Sequence, residues 1–128
     1  MFFDKISSKL ADKFWPGGLT IVLEIRDEKL KKTMNLSKKL AVRVPSNNCV
    51  LSLLKECKFL VGTSANLSGN KPLTDPKECG KTLSDYDILI DGGIIQSEGE
   101  STVIEINGEN VDIIRNGTVT EEEILSAL

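Results

Sequence analysis

The segment "STVIEINGENVDIIR" (residues 101–115) gives the strongest local indication of the fold. Two runs rich in Val and Ile flank the pair Asn107-Gly108. An Asn-Gly pair between two such runs is typical of a tight β-hairpin, because both residues tolerate positive φ. The stretch therefore predicts two antiparallel neighbouring strands.

In the sequence on either side of this hairpin, predicted helices and strands alternate along the chain. Further strands are predicted at residues 19–25, 40–44, 58–62 and 87–90. Helices are predicted at residues 4–14, 27–33, 47–57, 77–83 and after Thr120, with Asp4, Ser46, Asp75 and Thr120 as caps. Alternating helices and strands with one hairpin predict an α/β (α+β) fold with a sheet of mixed direction.

Composition excludes several classes of protein. The chain has 128 residues, one domain's worth, and 16 Lys+Arg against 19 Asp+Glu give a formal charge of −3. That balance argues against a surface that binds nucleic acid all over, although a local basic patch stays open. The sequence contains no histidine. It also contains no apolar run of membrane-spanning length and no signal peptide, so we expect a cytoplasmic protein with no membrane partner. Its three cysteines lack CxxC spacing and are expected to be free, mostly buried thiols.

A polar loop, "VGTSANLSGN" (61–70), follows a predicted strand and is the first candidate site. Ser64 and Asn66 would project from the same side if the segment were extended. Hydroxyls, an amide and backbone N–H groups before a helix suit a phosphate or carboxylate. The alternative is a loop whose Ser and Asn side chains satisfy its own backbone.

Other polar residues stand at predicted strand ends: Arg43, Ser101, Thr102 and Arg115. Each has an ordinary interpretation, a surface charge for the arginines and a strand start for the hydroxyls. Strand ends of one sheet can converge, however, so together they predict an anion-binding cleft. Thr20 is interpreted as a core or edge threonine. Histidine and cysteine residues predict no metal site. Any metal ion would be bound by carboxylate ligands or would enter as Mg²⁺ bound to a nucleotide.

Six strings together resemble the YrdC-like family, the threonylcarbamoyl-AMP synthases: "FWPGGLTIVL", "AVRVP", "VGTSANLSG", "DGG", "STVIEI" and "IIRNGTV". The resemblance runs from about Phe14 to the C-terminus, with Gly18 where the family usually has proline. It implies a twisted mixed-direction sheet flanked by helices. It also implies synthesis of threonylcarbamoyl-adenylate from ATP, bicarbonate and L-threonine, with Mg²⁺, for threonylcarbamoyladenosine in tRNA. The tRNA would be reached through a threonylcarbamoyl-transferring partner, and the family is associated with double-stranded RNA binding.

The resemblance also implies roles for individual residues. Ser64, Asn66 and Arg115 match residues that contact ATP phosphates and carry catalysis. Thr74 and Lys39 match further nucleotide contacts. Arg43, Ser101 and Thr63 match the threonine site, where Arg43 would bind the carboxylate.

The resemblance is incomplete at one end. The family's Lys-x-Arg motif completes the phosphate site and precedes the Trp-Pro-Gly element, but the residues before Trp15 contain no such motif. Residues 1–128 therefore resemble the C-terminal two-thirds of the family's usual domain, and weak ATP binding with slow or no turnover is expected. Two alternatives stay open: a non-catalytic nucleotide- or double-stranded-RNA-binding module, and a carbamoyl-adenylate module of the hydrogenase-maturation type. Whether the chain forms a homodimer is also open.

Overall fold

The computed structural model describes residues 2–95 and 99–128. Four strands occur in this described part: β1 (Leu19–Glu24), β2 (Lys39–Val42), β3 (Thr102–Asn107) and β4 (Asn110–Arg115). The helices are α1 (Lys5–Phe14), α2 (Glu28–Met34), α3 (Asn48–Cys57), α4 (Pro76–Thr82) and α5 (Glu121–Ser126). The predicted elements at both ends of the sequence are therefore confirmed, with boundaries shifted by one or two residues.

The sheet has the mixed direction that the sequence predicts. Its order is β2-β1-β3-β4; β1 and β3 are parallel, and the two outer pairs are antiparallel. The predicted hairpin is present, but its two central residues are Gly108 and Glu109, because Asn107 pairs with Asn110. Gly108 has φ 65° and Glu109 is not among the residues with positive φ, as expected for a type II′ turn.

Side-chain caps start most of the helices where the sequence predicts them. The predicted caps Asp4, Asp75 and Thr120 each accept a hydrogen bond from a backbone N–H of the first turn, and Asp27 does the same at α2, where no cap was predicted. The predicted cap Ser46 is wrong: Oδ1 of Asn47 accepts from the amides of Cys49 and Val50 at 3.0 and 3.1 Å. An Asn carbonyl is as good a cap as a Ser hydroxyl, so composition alone could not choose between the neighbours.

One face of the sheet carries the hydrophobic core. Leu19, Ile21 and Leu23 alternate along β1 and are almost fully buried, together with Ile104 of β3. Leu10 of α1 and Ile124 of α5 cover them. Buried apolar side chains on alternate strand positions fix the register, since a shift by one residue would move all of them to the other face.

Two predicted strands do not form. Residues 58–62 and 87–90 contain the right apolar residues but have no strand structure, and Val61 and Ile88 are each 78% exposed. A strand needs a neighbour to pair its backbone N–H and C=O groups, and no described segment pairs with these two. Apolar composition identified the segments correctly as candidates for pairing but could not supply the partner.

The chain forms two compact units. One comprises Met1–Leu51 and Gly99–Leu128 and contains the sheet and its core; the other comprises Ser52–Glu98. The second unit holds α4, the end of α3 and long segments without regular structure. Within the described residues no helix combines the length and the apolarity needed to cross a membrane.

Candidate functional site: an arginine pair and a polar loop

Four of the polar residues considered from sequence lie on one face of the sheet, at one end of it. Thr20 pairs with Val103, and Arg115 pairs with the same Val103 from the other side. Core residues occupy the alternate positions, so Thr20 and Arg115 belong to the face opposite the core. Ser101, one residue before β3, and Arg43, one residue after β2, continue this alternation. The structure thus brings the predicted strand-end residues Arg43, Ser101 and Arg115 to one face, whereas Thr102 is fully buried on the core face and its hydroxyl binds the Val119 backbone.

A β-bulge brings Arg115 to this face. Ile104 pairs with Ile113, but Val103 pairs with Arg115, so Ile114 is an extra residue in β4. Without it, Arg115 would follow Val111 and Ile113 onto the core face. Bulges often redirect a side chain at a functional site, and here the bulge turns a charged group away from the core.

Arg115 is held by several hydrogen bonds at the start of β3. Its Nε and Nη2 donate to the Ser101 carbonyl oxygen at 3.1 and 2.9 Å, and Nη2 also donates to Ser101 Oγ at 3.0 Å. Its Nη1 lies 3.3 Å from Glu100 Oε2. The guanidinium is therefore oriented before any ligand arrives, which lowers the entropy cost of binding one.

Arg43 is held by one nitrogen, which leaves the rest of its guanidinium available. Its Nε donates to the carbonyl oxygen of Gly17 at 2.7 Å, and the terminal nitrogens have no acceptor among residues 2–95 and 99–128. Burial lowers the pKa of Arg43, and the positive charge of Arg115 lowers it further. Two arginines that repel each other both attract an anion that lies close to the pair. This pair suits a carboxylate or a phosphate.

Thr20 belongs to the same cluster, which the sequence interpretation missed. The sequence interpretation was a core or edge threonine; the residue is 9% exposed but lies on the sheet face opposite the hydrophobic core. Its hydroxyl donates to Ser101 Oγ at 2.8 Å, however, and so joins the polar cluster. A buried hydroxyl needs a hydrogen-bond partner, and that requirement was the available signal. Glu100 was missed too, because a glutamate in a loop normally reads as a surface charge.

The second candidate, the polar loop of residues 61–75, lies in the other unit. The extended conformation that would align Ser64 and Asn66 does not form, since the Asn66 amide donates to the Ser64 carbonyl at 3.1 Å and turns the chain. A turn follows, closed by the Asn70 amide on the Leu67 carbonyl at 3.0 Å, with Gly69 at φ 84°. The predicted helix after this loop is confirmed, since α4 begins at Pro76 behind its cap Asp75.

Asn66 carries an unsatisfied acceptor. Its Nδ2 donates to the Leu67 carbonyl at 3.0 Å, while Oδ1 is buried and has no partner. A buried oxygen without a donor is unfavourable by about 1–3 kcal/mol, so this atom fits a ligand hydroxyl, amino group or cation better than a phosphate oxygen. The loop backbone brings Thr74 close to this turn, because the Leu73 amide donates to the Ala65 carbonyl at 2.8 Å.

The positions of the other predicted site residues do not by themselves indicate a ligand. Thr63, Ser64 and Thr74 are exposed in their loop. Lys39 forms an ion pair with Glu105 and stands at the start of β2, whereas Arg43 follows its end, about 13 Å away at strand spacing. The roles of all these residues stay predictions, as does the predicted cleft shared by the loop and the strand ends.

The described residues contain no group of three or more His, Cys, Asp or Glu side chains that could hold a metal ion. The three cysteines are free thiols, as predicted, but the expectation that they are mostly buried is wrong, because Cys49 and Cys57 are exposed and Cys79 is only partly buried.

Comparison with known proteins identifies the family. The family model Sua5_yciO_yrdC, described as "Telomere recombination", matches residues 2–117. The chain is 30% identical to the threonylcarbamoyl-AMP synthase of Bacillus subtilis over 90% of its own length and 34% of that enzyme. It is 32% identical to the threonylcarbamoyl-AMP synthase of Schizosaccharomyces pombe over 96% of its own length and 32% of that enzyme. It thus spans about a third of these relatives.

A solved structure extends the comparison to the fold. The crystal structure of P. abyssi Sua5 complexed with L-threonine matches all of this chain and 38% of its own, with a TM-score of 0.88 and 28% identity. The fold is a mixed-sheet α/β domain that carries a pair of arginines on one face of its sheet. The chain belongs to the Sua5–YciO–YrdC family, and both the predicted fold and the predicted family are confirmed.

Proposed function

We propose that this chain takes part in making L-threonylcarbamoyl-adenylate from ATP, bicarbonate and L-threonine, for the modification of tRNA. The observation that carries the proposal is the preoriented pair Arg43 and Arg115 beside Ser101, in a fold similar to a relative complexed with L-threonine. A free amino acid offers a carboxylate, and two guanidinium groups with a neighbouring hydroxyl are a suitable receptor for it.

The residues of this cluster have separate roles in the proposal. Arg43 binds the threonine carboxylate through its free terminal nitrogens. Ser101 adds a hydroxyl donor. Arg115 stabilises the negative charge that accumulates when the carbamate oxygen of N-carboxythreonine bonds to the α-phosphorus. In that step the bond from the α-phosphorus to the bridging oxygen breaks, and pyrophosphate leaves with the electron pair. Catalysis then rests on positioning and electrostatics, and no histidine base is needed.

The loop of residues 61–75 is assigned to the nucleotide. Asn66 Oδ1, the unsatisfied acceptor, fits a ribose hydroxyl, an adenine amino group or Mg²⁺. The exposed hydroxyls of Thr63, Ser64 and Thr74 are available to donate to phosphate oxygens. Mg²⁺, carried in with the triphosphate, would supply charge neutralisation. Such a protein would act in the cytoplasm and reach tRNA through a separate transferring enzyme.

The test separates binding from turnover. Threonine and ATP–Mg²⁺ are titrated calorimetrically into the chain, and pyrophosphate release is followed with and without threonine and bicarbonate. We expect Arg43→Ala to weaken threonine binding at least tenfold, and Arg115→Ala to slow pyrophosphate release at saturating threonine. Arg26→Ala is the matched control, because Arg26 stacks on the ring of Phe2 and has no contact with the cluster. Asn66→Ala should weaken ATP binding more than Asn70→Ala in the same loop.

Three outcomes are informative. Pyrophosphate release that requires both threonine and bicarbonate supports the proposal. ATP binding without turnover would instead favour the non-catalytic nucleotide-binding module. No saturable binding of either ligand would overturn the assignment of both sites in this chain.

A further inference from the structure

Ser101 Oγ has its acceptor positions filled from two sides. Arg115 Nη2 donates to it at 3.0 Å, and the Thr20 hydroxyl donates to it at 2.8 Å. A hydroxyl oxygen has two lone pairs and one proton. A hydroxyl pair at this distance can bond in either direction; when Thr20 donates, both lone pairs of Ser101 Oγ are occupied and the Ser101 proton is available to an anionic ligand.

We propose that Thr20 is a positioning residue that, together with Arg115, fixes the Ser101 hydroxyl as a donor to the carboxylate of the bound amino acid. The inference rests on the proposed function and adds a residue to it. Thr20 itself is 9% exposed and is not required to touch the ligand. Its effect passes through Ser101, whose rotamer and donor direction it determines.

The location of Thr20 supports this role over simple packing. Its neighbours in β1, Leu19 and Ile21, are fully buried in the core, whereas Thr20 points to the opposite face. Valine would fill the same volume there without any need for a hydrogen bond. Because the partner of Thr20 is the one hydroxyl that also binds Arg115, its hydrogen bond links β1 to the anion site.

The consequence is a receptor for the carboxylate with three oriented hydrogen-bond donors. Arg43 and Arg115 supply charge, and Ser101 supplies a neutral donor to the carboxylate while Thr20 donates to Ser101 from behind. Such a hydroxyl favours an anionic oxygen and disfavours an ammonium or amide N–H at the same point. It therefore helps to decide which end of an amino acid faces the arginines.

The test compares Thr20→Val with Thr20→Ser in the whole chain. Valine removes the donor at nearly constant volume, and serine keeps it. We expect Thr20→Val to weaken L-threonine binding about tenfold, as for loss of one hydrogen bond to a charged ligand, while Thr20→Ser binds within about twofold of the wild type. Melting temperatures recorded alongside separate this effect from unfolding, since a purely structural role would lower stability without a selective loss of affinity.

A ligand-free readout makes the inference independent of threonine binding. The Hα–Hβ couplings of Ser101, measured by NMR, should show a single rotamer in the wild type and Thr20→Ser, and averaged rotamers in Thr20→Val. Equal threonine affinity in wild type and Thr20→Val would overturn the inference and leave the proposed function standing. Failure of the wild type to bind threonine would overturn the proposed function and the assigned ligand. Unchanged Ser101 couplings in Thr20→Val would overturn the positioning role, whether or not threonine binds.

Discussion

Arg43 lies on the same face of the sheet as Arg115, and the charge of Arg115 adds to burial in lowering the pKa of Arg43. Like charges close together disfavour the folded, unliganded state. A bound anion reverses this effect, because it attracts both groups. The anion that we propose for this pair would therefore relieve the repulsion between the two arginines.

Replacing Arg43 by methionine should separate binding from stability. Methionine keeps much of the length of the side chain and removes its charge. We expect threonine affinity to fall at least tenfold, since the carboxylate loses a charge-assisted donor, while the free energy of unfolding stays equal or rises because the repulsion disappears. Calorimetric titration and urea denaturation measure the two quantities. A loss of stability with unchanged affinity would show that Arg43 has only a structural role.

Glu100 competes with an anionic ligand for Arg115. Its Oε2 lies 3.3 Å from Arg115 Nη1, and both side chains are about half exposed. Since exposed ion pairs contribute little to stability, Glu100→Gln should leave the melting temperature nearly unchanged. We expect the same variant to bind threonine about two- to fivefold more tightly at low salt, with the gain shrinking as salt rises. Tighter binding that persists at high salt would contradict an electrostatic origin.

Sequence reasoning predicted the sheet well because its signals are local. The alternation of buried residues in β1 and the turn at Gly108 each require only neighbouring residues to be recognised. The failures need information from elsewhere in the chain. Residues 58–62 and 87–90 have strand composition, but a strand exists only with a partner, and none is present among the described residues.

The candidate site was predicted in part for the same reason. Arg43, Ser101 and Arg115 are conspicuous in sequence because polar residues interrupt apolar runs at strand ends. The bulge at Ile114, which decides the face to which Arg115 belongs, has no local signal in "VDIIR". Thr20 was passed over because a threonine in a strand is usually explained by β propensity, and its bond to Ser101 joins residues 81 positions apart.

Gly117 should be indispensable for the geometry around Ser101. A Cβ at this position would lie 2.3 Å from the Glu100 carbonyl oxygen and 2.4 Å from the Thr102 amide nitrogen. Backbone atoms cannot yield as a flexible side chain can, so Gly117→Ala should lower the free energy of unfolding by about 1–3 kcal/mol and weaken threonine binding by displacing Ser101.

Gly92→Ala is the matched control for this change. A Cβ at Gly92 meets nothing within 4 Å, and we expect less than about 0.5 kcal/mol of change. Urea denaturation and threonine titration of both variants give the answer. Wild-type stability and affinity in Gly117→Ala would mean that the chain beside Glu100 moves freely to make room.

Thr102 joins β3 to the chain before α5. It is fully buried, and its Oγ1 donates to the Val119 carbonyl at 2.6 Å and accepts from the Val119 amide at 3.0 Å. Thr102→Val leaves both backbone groups unpaired and should cost about 1–3 kcal/mol in urea denaturation. Thr102→Ser, which keeps the hydroxyl, should recover most of that loss. Equal stabilities of the two variants would show that the hydrogen bonds contribute nothing net.

The start of α5 should make stability depend on pH in the acid range. Glu123 and Thr120 form a capping box, and hydrogen bonds from the Thr120 amide and hydroxyl lower the pKa of Glu123 below its ordinary value of 4.5. A carboxylate with a lowered folded pKa stabilises the protein above its unfolded pKa and loses that contribution as pH falls through the folded value. Glu123→Gln should therefore be less stable than the wild type at pH 7, and the difference should disappear as the pH falls through the lowered folded pKa of Glu123.

Glu122→Gln controls for net charge and for the helix dipole, because Glu122 is in the same first turn but outside the capping box. Thermal unfolding of the three proteins between pH 3 and pH 7 measures the effect. The capping-box explanation requires the pH-dependent difference to be larger for Glu123→Gln than for Glu122→Gln. Equal differences would assign the whole effect to the general attraction between acidic side chains and the positive end of α5.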